Sequence, residues 1–250
     1  MKVSIITVTY NSEKYLEDCI LSVVKQRYHS IEHIIIDGQS SDGTVEIIKK
    51  YQSHIAKWVS ETDRGMYDAI NKGMALATGD VIGILNSDDM LETEDVIAAI
   101  ADAFEKQRVG AVYGDLEYVH SDDTDKVFRI WKGKVYDRSL FKVGWMPAHP
   151  TFYIKRNLVE EFGGYQSHYF TAADYEFMAR YLFHHRVTAY YLPKLIVKMR
   201  VGGQSNKNFQ QRFRANRRDY LAMKKNKIPF AFFVSILKPL SKLHQFYKKN

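Results

Sequence analysis

An α/β protein built on a mostly parallel sheet is what this sequence predicts, and three observations carry the prediction. Short apolar runs alternate with segments of helical spacing through the first half of the chain. Alternation of that kind builds parallel sheets, because each strand must return across a sheet face through a helix before the next can pair beside it. Several of the apolar runs also end abruptly in polar residues: Thr9-Tyr10-Asn11, the segment 37–42, and Asn86-Ser87-Asp88-Asp89. Open α/β sheets gather their ligands at the carboxyl ends of strands.

Taken in order, residues 3–8 (Val3-Ser4-Ile5-Ile6-Thr7-Val8) read as the first buried strand. They do not read as a leader, since no long apolar region and small-residue cleavage site accompany them. In residues 12–24 the apolar positions Leu16, Ile20, Val23 and Val24 have helical spacing. A second strand at 33–36 runs into Asp37-Gly38-Gln39-Ser40-Ser41-Asp42-Gly43-Thr44, a polar loop that opens a helix through Val45 and Ile48. Met66, Ala69, Ile70, Gly73, Met74 and Ala77 mark an amphipathic helix. Gly79-Asp80 then turns into the strand Val81-Ile82-Gly83-Ile84-Leu85, and a helix follows at 93–104. The second half is less regular: strands are expected at 110–113, 127–131, 151–154 and 187–191, a helix at 174–184, and a Gly202-Gly203 loop before a basic tail.

Of 250 residues, 46% are hydrophobic and 26% charged, a balance that supports a packed core and excludes intrinsic disorder. One domain with a C-terminal appendage suits that length. A single cysteine, Cys19, permits no internal disulfide and no cysteine-held zinc, which fits a reducing cytosol. No apolar run reaches the roughly 18 residues of a membrane span. The net charge of +7 is concentrated late: Arg212, Arg214, Arg217, Arg218, Lys224, Lys225, Lys227, Lys238, Lys242, Lys248 and Lys249 face only Asp219. Such a tail attracts nucleic acid, anionic lipid or an anionic substrate. A nucleic-acid reader would add a recognisable module and aromatics set among the cations for stacking. Neither is evident, so no nucleic-acid partner is expected.

Asp88 and Asp89 form a cluster of hard oxygens suited to Mg²⁺ or Mn²⁺, ions that keep waters and take further ligands from phosphate oxygens. A nucleoside diphosphate is the ligand this chemistry points to. The same two residues also suit the start of the following helix.

Four segments, in order and spacing, resemble the nucleotide-sugar-binding half of the family 2 glycosyltransferases. They are Thr7-Val8-Thr9-Tyr10-Asn11, Ile36-Asp37-Gly38-Gln39-Ser40-Ser41-Asp42-Gly43-Thr44, Ser60-Glu61-Thr62-Asp63-Arg64-Gly65-Met66-Tyr67-Asp68-Ala69-Ile70-Asn71-Lys72-Gly73, and Leu85-Asn86-Ser87-Asp88-Asp89. The resemblance covers about residues 1–205 and implies a GT-A fold, with 1–115 as the nucleotide-sugar half and 116–205 as the acceptor half, leaving 206–250 as a basic, amphipathic, helical C-terminal appendage. It implies an inverting, metal-dependent transfer from an NDP-sugar, best a UDP-sugar, with Mn²⁺ or Mg²⁺ as cofactor. The implied acceptor is a saccharide, lipid-linked in some surface polysaccharide pathways, reached from the cytoplasmic side of a membrane. Thr9 and Asp37 would hold the base, with Tyr10 and Asn11 beside them, and Asp63 would lie against the nucleoside. Asn86-Ser87-Asp88 stands in for the family's Asp-x-Asp, making Asp88 the leading metal ligand and Asp89 its neighbour. Asn86 departs from the first aspartate; its amide can bond a ribose hydroxyl but brings no charge to a metal.

Pro147-Ala148-His149-Pro150-Thr151-Phe152 and Thr171-Ala172-Ala173-Asp174-Tyr175-Glu176-Phe177-Met178-Ala179-Arg180 resemble the acceptor-side motifs. Asp174 matches the family's general base, although Ala173 replaces the acid that usually precedes it. A carboxylate is what the reaction needs, because a sugar hydroxyl is a poor nucleophile until its proton is taken. Glu176 and Glu61 compete for that role, and Asp174 also suits a helix start. His149 would orient acceptor or donor phosphate, or pack in its loop; His184-His185 reads as helix-end structure. Arg200, or Lys207 beyond the glycine pair, would close over the diphosphate. Residues 228–240 are apolar, aromatic and flanked by lysines, a pattern that suits a membrane interface, or docking on the body of the domain or on a second subunit. A metal-dependent nucleotidyltransferase is the competing enzyme class, but its glycine- and cation-rich phosphate loop is missing here.

Overall fold

The computed structural model describes residues 1–201 and 209–240, so the expected Gly202-Gly203 loop and Lys207 lie outside the described residues. β1 (Val3–Thr9) is buried at every position. A strand covered on both faces shows no inside–outside alternation, and its small hydroxyl residues Ser4, Thr7 and Thr9 are buried along with the apolar ones. β2 (Ile31–Asp37) pairs with it in parallel, Thr9 opposite Asp37. β3 (Lys57–Ser60) continues outward in parallel with Ser60 opposite Asp37, and β4 (Val81–Ile84) lies on the other side of β1, also parallel. The block β3-β2-β1-β4 therefore sends every carboxyl end to one edge. Three helices serve as its crossovers: α1 (Leu16–Val24), α2 (Thr44–Lys50) and α3 (Met66–Leu76). α3 buries Ala69, Ile70, Gly73 and Met74, the stripe its spacing predicts, and a Cβ on Gly73 would fall 2.4 Å from Ile6 Cγ2.

Beyond β4 the sheet becomes mixed. β8 (Tyr153–Lys155) runs antiparallel to both β4 and β6 (Ala111–Val119), while β9 (Ala189–Arg200) lies parallel to β6 and antiparallel to β5 (Asp89–Leu91). β7 (Val127–Trp131) pairs off the main path with β6. β9 is far longer than the expected strand at 187–191. Pro193 cannot donate to the ladder, and the pairing with β6 shifts register between Tyr191 and Leu195, so the pattern breaks although the strand goes on. This continuation sets Met199 opposite Asp89 and carries Arg200 to the acidic loop.

α4 (Val96–Gln107) and α5 (Arg156–Phe162) flank the second half, and α6 (Ala173–Met178) runs on into a π-helical turn, Ala179–His184. α7 (Phe209–Lys225) and α8 (Ala231–Leu240) pack on that side. Ala222, Met223, Ile228 and Val234 are buried there, and Lys238 Nζ meets Asp219 at 2.6 Å. One face of α8 is thus docked on the protein; its other face is exposed.

Candidate functional site

The parallel block forces three strand-end loops together. Asn11 adopts a left-handed backbone (φ 48°), which asparagine tolerates, and this turns its side chain so that Oδ1 accepts from Ser41 N at 2.9 Å. Asn11 N donates to Ser40 Oγ at 2.8 Å, and Ser12 Oγ lies 2.9 Å from Ser87 Oγ, so the first loop is tied to the second and the third. Asp37 is wholly buried: Ser40 N and Ser60 Oγ donate to Oδ2 at 3.1 and 2.6 Å, and Ser40 Oγ donates to Oδ1. A carboxylate offers about four acceptor positions, so about one remains for a ligand. Gly38 lets the walls close: a Cβ there would lie 2.6 Å from Asp63 Oδ2 and 3.3 Å from Tyr10 Cδ2. Tyr10 is 64% exposed, a free aromatic face at the mouth of this corner. Thr9 Oγ1 is buried without a hydrogen-bond partner. Thr9, Tyr10, Asn11, Asp37 and Asp63 are therefore brought together as the sequence suggests.

The acidic loop separates the two carboxylates that the sequence treats as a pair. Asp89 opens β5 and is fully buried, with Asn86 Nδ2 donating to its Oδ2 at 2.9 Å; Asp88 keeps partial exposure. Burial first, and then the Asp88 charge, holds the Asp89 carboxyl well above the usual range; burial raises Asp88 as well. Cys19, its thiol pushed up by burial, donates to Asn86 O at 3.3 Å and props the loop from α1. Asp89 Oδ1 and Asn86 Oδ1 are buried oxygens without partners. Unsatisfied hard oxygens beside a half-exposed carboxylate fit a divalent cation. Among the described residues no three His, Cys, Asp or Glu side chains form a metal cluster, so the ion would complete its shell with phosphate oxygens and water.

Arg200 stands elsewhere than the sequence suggests. It is 5% exposed; Nη1 donates to Asp88 O at 3.0 Å, Nη2 to Asp18 Oδ2 at 2.6 Å and Nε to Ser121 O at 3.3 Å. Its fork braces the backbone of the acidic loop rather than lying open over a diphosphate, a consequence of the β5–β9 register.

On the acceptor side Asp174 heads α6, half-exposed, with Oδ1 accepting from Tyr175 N at 2.7 Å. Three aromatic groups feel its charge. The Tyr67 and Tyr165 hydroxyls are pushed up by burial and then by the Asp174 charge, while His149 is lowered by burial against an opposing pull from Asp174. His149 Nε2 lies 2.7 Å from Tyr165 OH, and Tyr67 stacks on Tyr165 with centroids 5.4 Å apart. Asn71 fixes Tyr165 through both its backbone groups: Nδ2 donates to Tyr165 O at 2.8 Å and Oδ1 accepts from Tyr165 N at 2.7 Å. Sequence reasoning missed Tyr67, Asn71 and Tyr165 as site residues, although the first two lie one helical turn apart within the motif that opens α3.

Glu176 must be removed from the acceptor-side candidates. It is fully buried, paired with Arg180 Nε at 3.1 Å and close to Asn226 Nδ2 at 3.4 Å; Arg180 also donates to Gly163 O and Gly164 O. Glu61 sits at the end of β3 in an ion pair with Lys72 at 2.7 Å. His185 stacks on Phe162 at 3.9 Å, the helix-end role expected of it. Phe170, just before α6, holds φ 48° and ψ −124°, a strained conformation for a bulky residue.

The glycosyl transferase family 2 model matches residues 4–170. An uncharacterized glycosyltransferase of Mycobacterium tuberculosis is 34% identical over 181 residues, covering 71% of this chain and 68% of that protein. A PGL/p-HBAD biosynthesis glycosyltransferase of Mycobacterium bovis is 31% identical over 210 residues, 81% of this chain and 78% of that protein. Among solved structures, S. aureus TarS aligns over all of this chain with TM-score 0.69 at 18% identity, the chain spanning 44% of TarS. A mannosyltransferase from Pyrobaculum calidifontis, solved with GDP-Man and Mn²⁺, aligns over 97% of this chain and 75% of its own with TM-score 0.66 at 18% identity. Likeness at these identities speaks to the fold, and the fold is GT-A.

Proposed function

The chain belongs to glycosyl transferase family 2, and on that footing we propose that it transfers a sugar from a UDP-sugar to a hydroxyl of a saccharide acceptor, with inversion at the anomeric carbon and with Mn²⁺ or Mg²⁺ at the donor. Residues 1–115 serve the donor, 116–205 the acceptor, and 206–250 form an appendage. The acceptor is a lipid-linked saccharide of a surface polysaccharide, met at the cytoplasmic face of a membrane. The nucleotidyltransferase reading gives way to the family.

One observation carries the reading: the exposed Tyr10 ring, the buried Asp37 carboxylate, Asp63 and the half-exposed Asp88 converge where the parallel strands end. Tyr10 offers a face on which a base stacks. The remaining lone pair of Asp37 accepts a pyrimidine N–H, and Thr9 Oγ1, unpartnered within the protein, is free to bond the same base. Asp63 lies against the nucleoside, with Asn11, Asn86 and Ser87 lining the path to the diphosphate. Asp88 would hold the cation, with the buried Asp89 carboxyl directly behind it. A divalent cation, when bound, offsets the charge that grows on the diphosphate as the sugar–phosphate bond breaks. A solved structure of TarS in complex with UDP and the mannosyltransferase with GDP-Man show neighbours of this fold holding nucleotides.

Asp174 takes the proton of the acceptor hydroxyl as its oxygen attacks the anomeric carbon. The bond from that carbon to the β-phosphate oxygen breaks, its electron pair leaving with UDP, and a single displacement inverts the centre. Tyr67, Tyr165 and His149 lie within reach of the Asp174 charge, and the His149–Tyr165 contact orders that side of the site.

The test is thermal. UDP at about 100 times the dissociation constant it has with Mn²⁺ should add roughly 2.7 kcal/mol of stability by linkage, the same UDP concentration should add less in EDTA, and Asp88→Ala should erase the difference. A metal-dependent shift that survives the substitution would remove Asp88 from the cation. A panel of NDP-sugars read by slow donor hydrolysis then identifies the sugar.

A further inference from the structure

α8 turns its large apolar residues outward. Val234, Ser235 and Lys238 face the protein and are buried, while Phe232, Phe233, Ile236 and Leu237 are 59%, 63%, 49% and 47% exposed. The two sets follow helical spacing, so the exposed residues form one continuous face. Phe230, 79% exposed, stands just ahead of it. Surface helices ordinarily present charge outward, and an aromatic face of this extent marks something that covers it.

The surroundings say what covers it. Lys224 and Lys225 at the end of α7 and Lys227 just beyond it, all exposed, directly precede the phenylalanines in the chain. The sole acid of residues 209–240 is Asp219, and it is paired with Lys238 at 2.6 Å. The collar is therefore cationic. A second copy of this chain docking face to face would set collar against collar, a like-charge arrangement. An anionic phospholipid surface complements both parts, lipid tails taking the phenylalanines and headgroups the lysines. No helix among the described residues is long and apolar enough to cross a membrane, and α8 rises only about 15 Å along its axis, so it would lie in the interface plane.

We propose that the outer face of α8 and the lysine collar of α7 dock this protein on an anionic phospholipid surface. The placement deepens, and rests in its purpose on, the reading of a lipid-linked acceptor. α7 packs against both α6 and the segment Ser167–Ala172 that leads into Asp174. A cleft between that segment and α7, lined by His168, Tyr169, Arg218, Leu221, Lys224 and Lys225, opens beside the collar, and Arg218 lies 4.1 Å from the exposed Phe170 ring. Docking would thus present the acceptor side of the enzyme to lipid-borne substrate.

The experiment uses the full chain with vesicles of phosphatidylglycerol and phosphatidylcholine, and of phosphatidylcholine alone. Sedimentation should require the anionic lipid and weaken in high salt. Lys224→Gln with Lys225→Gln should cost about thirtyfold in partitioning, from two interfacial cations. Phe232→Ser with Phe233→Ser should cost about tenfold or more at unchanged melting temperature. Phe233→Trp, which deletes nothing, should show a blue-shifted emission on adding anionic vesicles. Vesicle binding indifferent to both pairs, or a tryptophan shift that follows protein concentration or removal of residues 241–250 instead of lipid, overturns the proposal in favour of a second copy or the chain's own end. UDP-dependent stabilisation is read in parallel: its loss with vesicle binding intact would strike the donor reading and leave the dock standing. The reverse pattern would strike the dock alone.

Discussion

Replacing Arg200 by methionine separates the two jobs an arginine beside an acidic loop can do. The substitution keeps the stem's bulk and deletes the fork, which is only 5% exposed and reaches Asp88 O at 3.0 Å and Ser121 O at 3.3 Å. The third partner, Asp18, is 52% exposed and regains water when released, so the ion pair itself contributes little. Each hydrogen bond from a charged donor is worth about 1.5–3 kcal/mol, and the longer one to Ser121 counts at the low end. The guanidinium's own desolvation is relieved when it is removed, which trims the total. A loss of about 2–4 kcal/mol in unliganded stability is the outcome expected from these terms. Urea denaturation without nucleotide reads it as a lower midpoint at constant slope. Arg200→Lys should recover part, since a point charge satisfies one carbonyl and cannot span two. Unliganded stability within about 0.5 kcal/mol of wild type, joined to a large loss of UDP affinity, would show that Arg200 clamps the diphosphate and that the bracing role is wrong.

Asp174→Asn should lower transfer on the order of 10²-fold or more while leaving the UDP-dependent thermal shift intact; Glu176→Gln should instead destabilise the fold by about 3 kcal/mol or more, because it strands the buried Arg180. Transfer near the normal rate in the Asp174 variant would move the base elsewhere. The pH dependence of stability should show two losses on acidification, since both folded pKa values lie below their unfolded ones and each contribution is complete only above the unfolded value. Burial holds His33 at about 4 against 6.5, so its contribution drains away across that window. Glu32 is pushed up by burial but pulled down further by Ser4, Thr78 and Lys2, to about 2 against 4.5, and loses its contribution lower still. His33→Gln should flatten the upper window only, measured by urea midpoints from pH 7 to 3; an unaltered upper slope would clear His33 of the effect.

The parallel block was legible because burial on both faces leaves β-branched apolar stretches that need no partner to be recognised, Ile5-Ile6 in β1 and Ile34-Ile35-Ile36 in β2. Edge and irregular strands lack that signature. β3 has only Trp58 and Val59 half-buried between exposed ends, and β5 is three residues long and opens with a buried carboxylate. Neither pattern tells strand from loop until β2 and β9 are in place. α8 falls within the helical appendage the sequence expects, and its larger apolar residues face outward rather than into the core.

In the site, what could be read was short-range. Polar residues at the ends of neighbouring parallel strands must meet, so Thr9, Asp37 and the acidic loop assemble from pairing alone. Asp174 and Glu176 form the instructive case. Two positions apart on a helix they point in different directions, so one of them must turn from the acceptor. The deciding signal lay one turn further on: Arg180 is four residues from Glu176, the spacing at which a glutamate finds an arginine on its own face, and the pair is driven inward by its carbonyl partners Gly163 and Gly164. Arg200 carried no such local cue. Whether it opens toward a phosphate or braces a backbone depends on the register of β9 against β5, set by residues 110 positions apart between Asp89 and Met199. Long-range register is the quantity a local pattern cannot hold, and it decides which basic residue beside an acidic loop serves chemistry and which serves the fold.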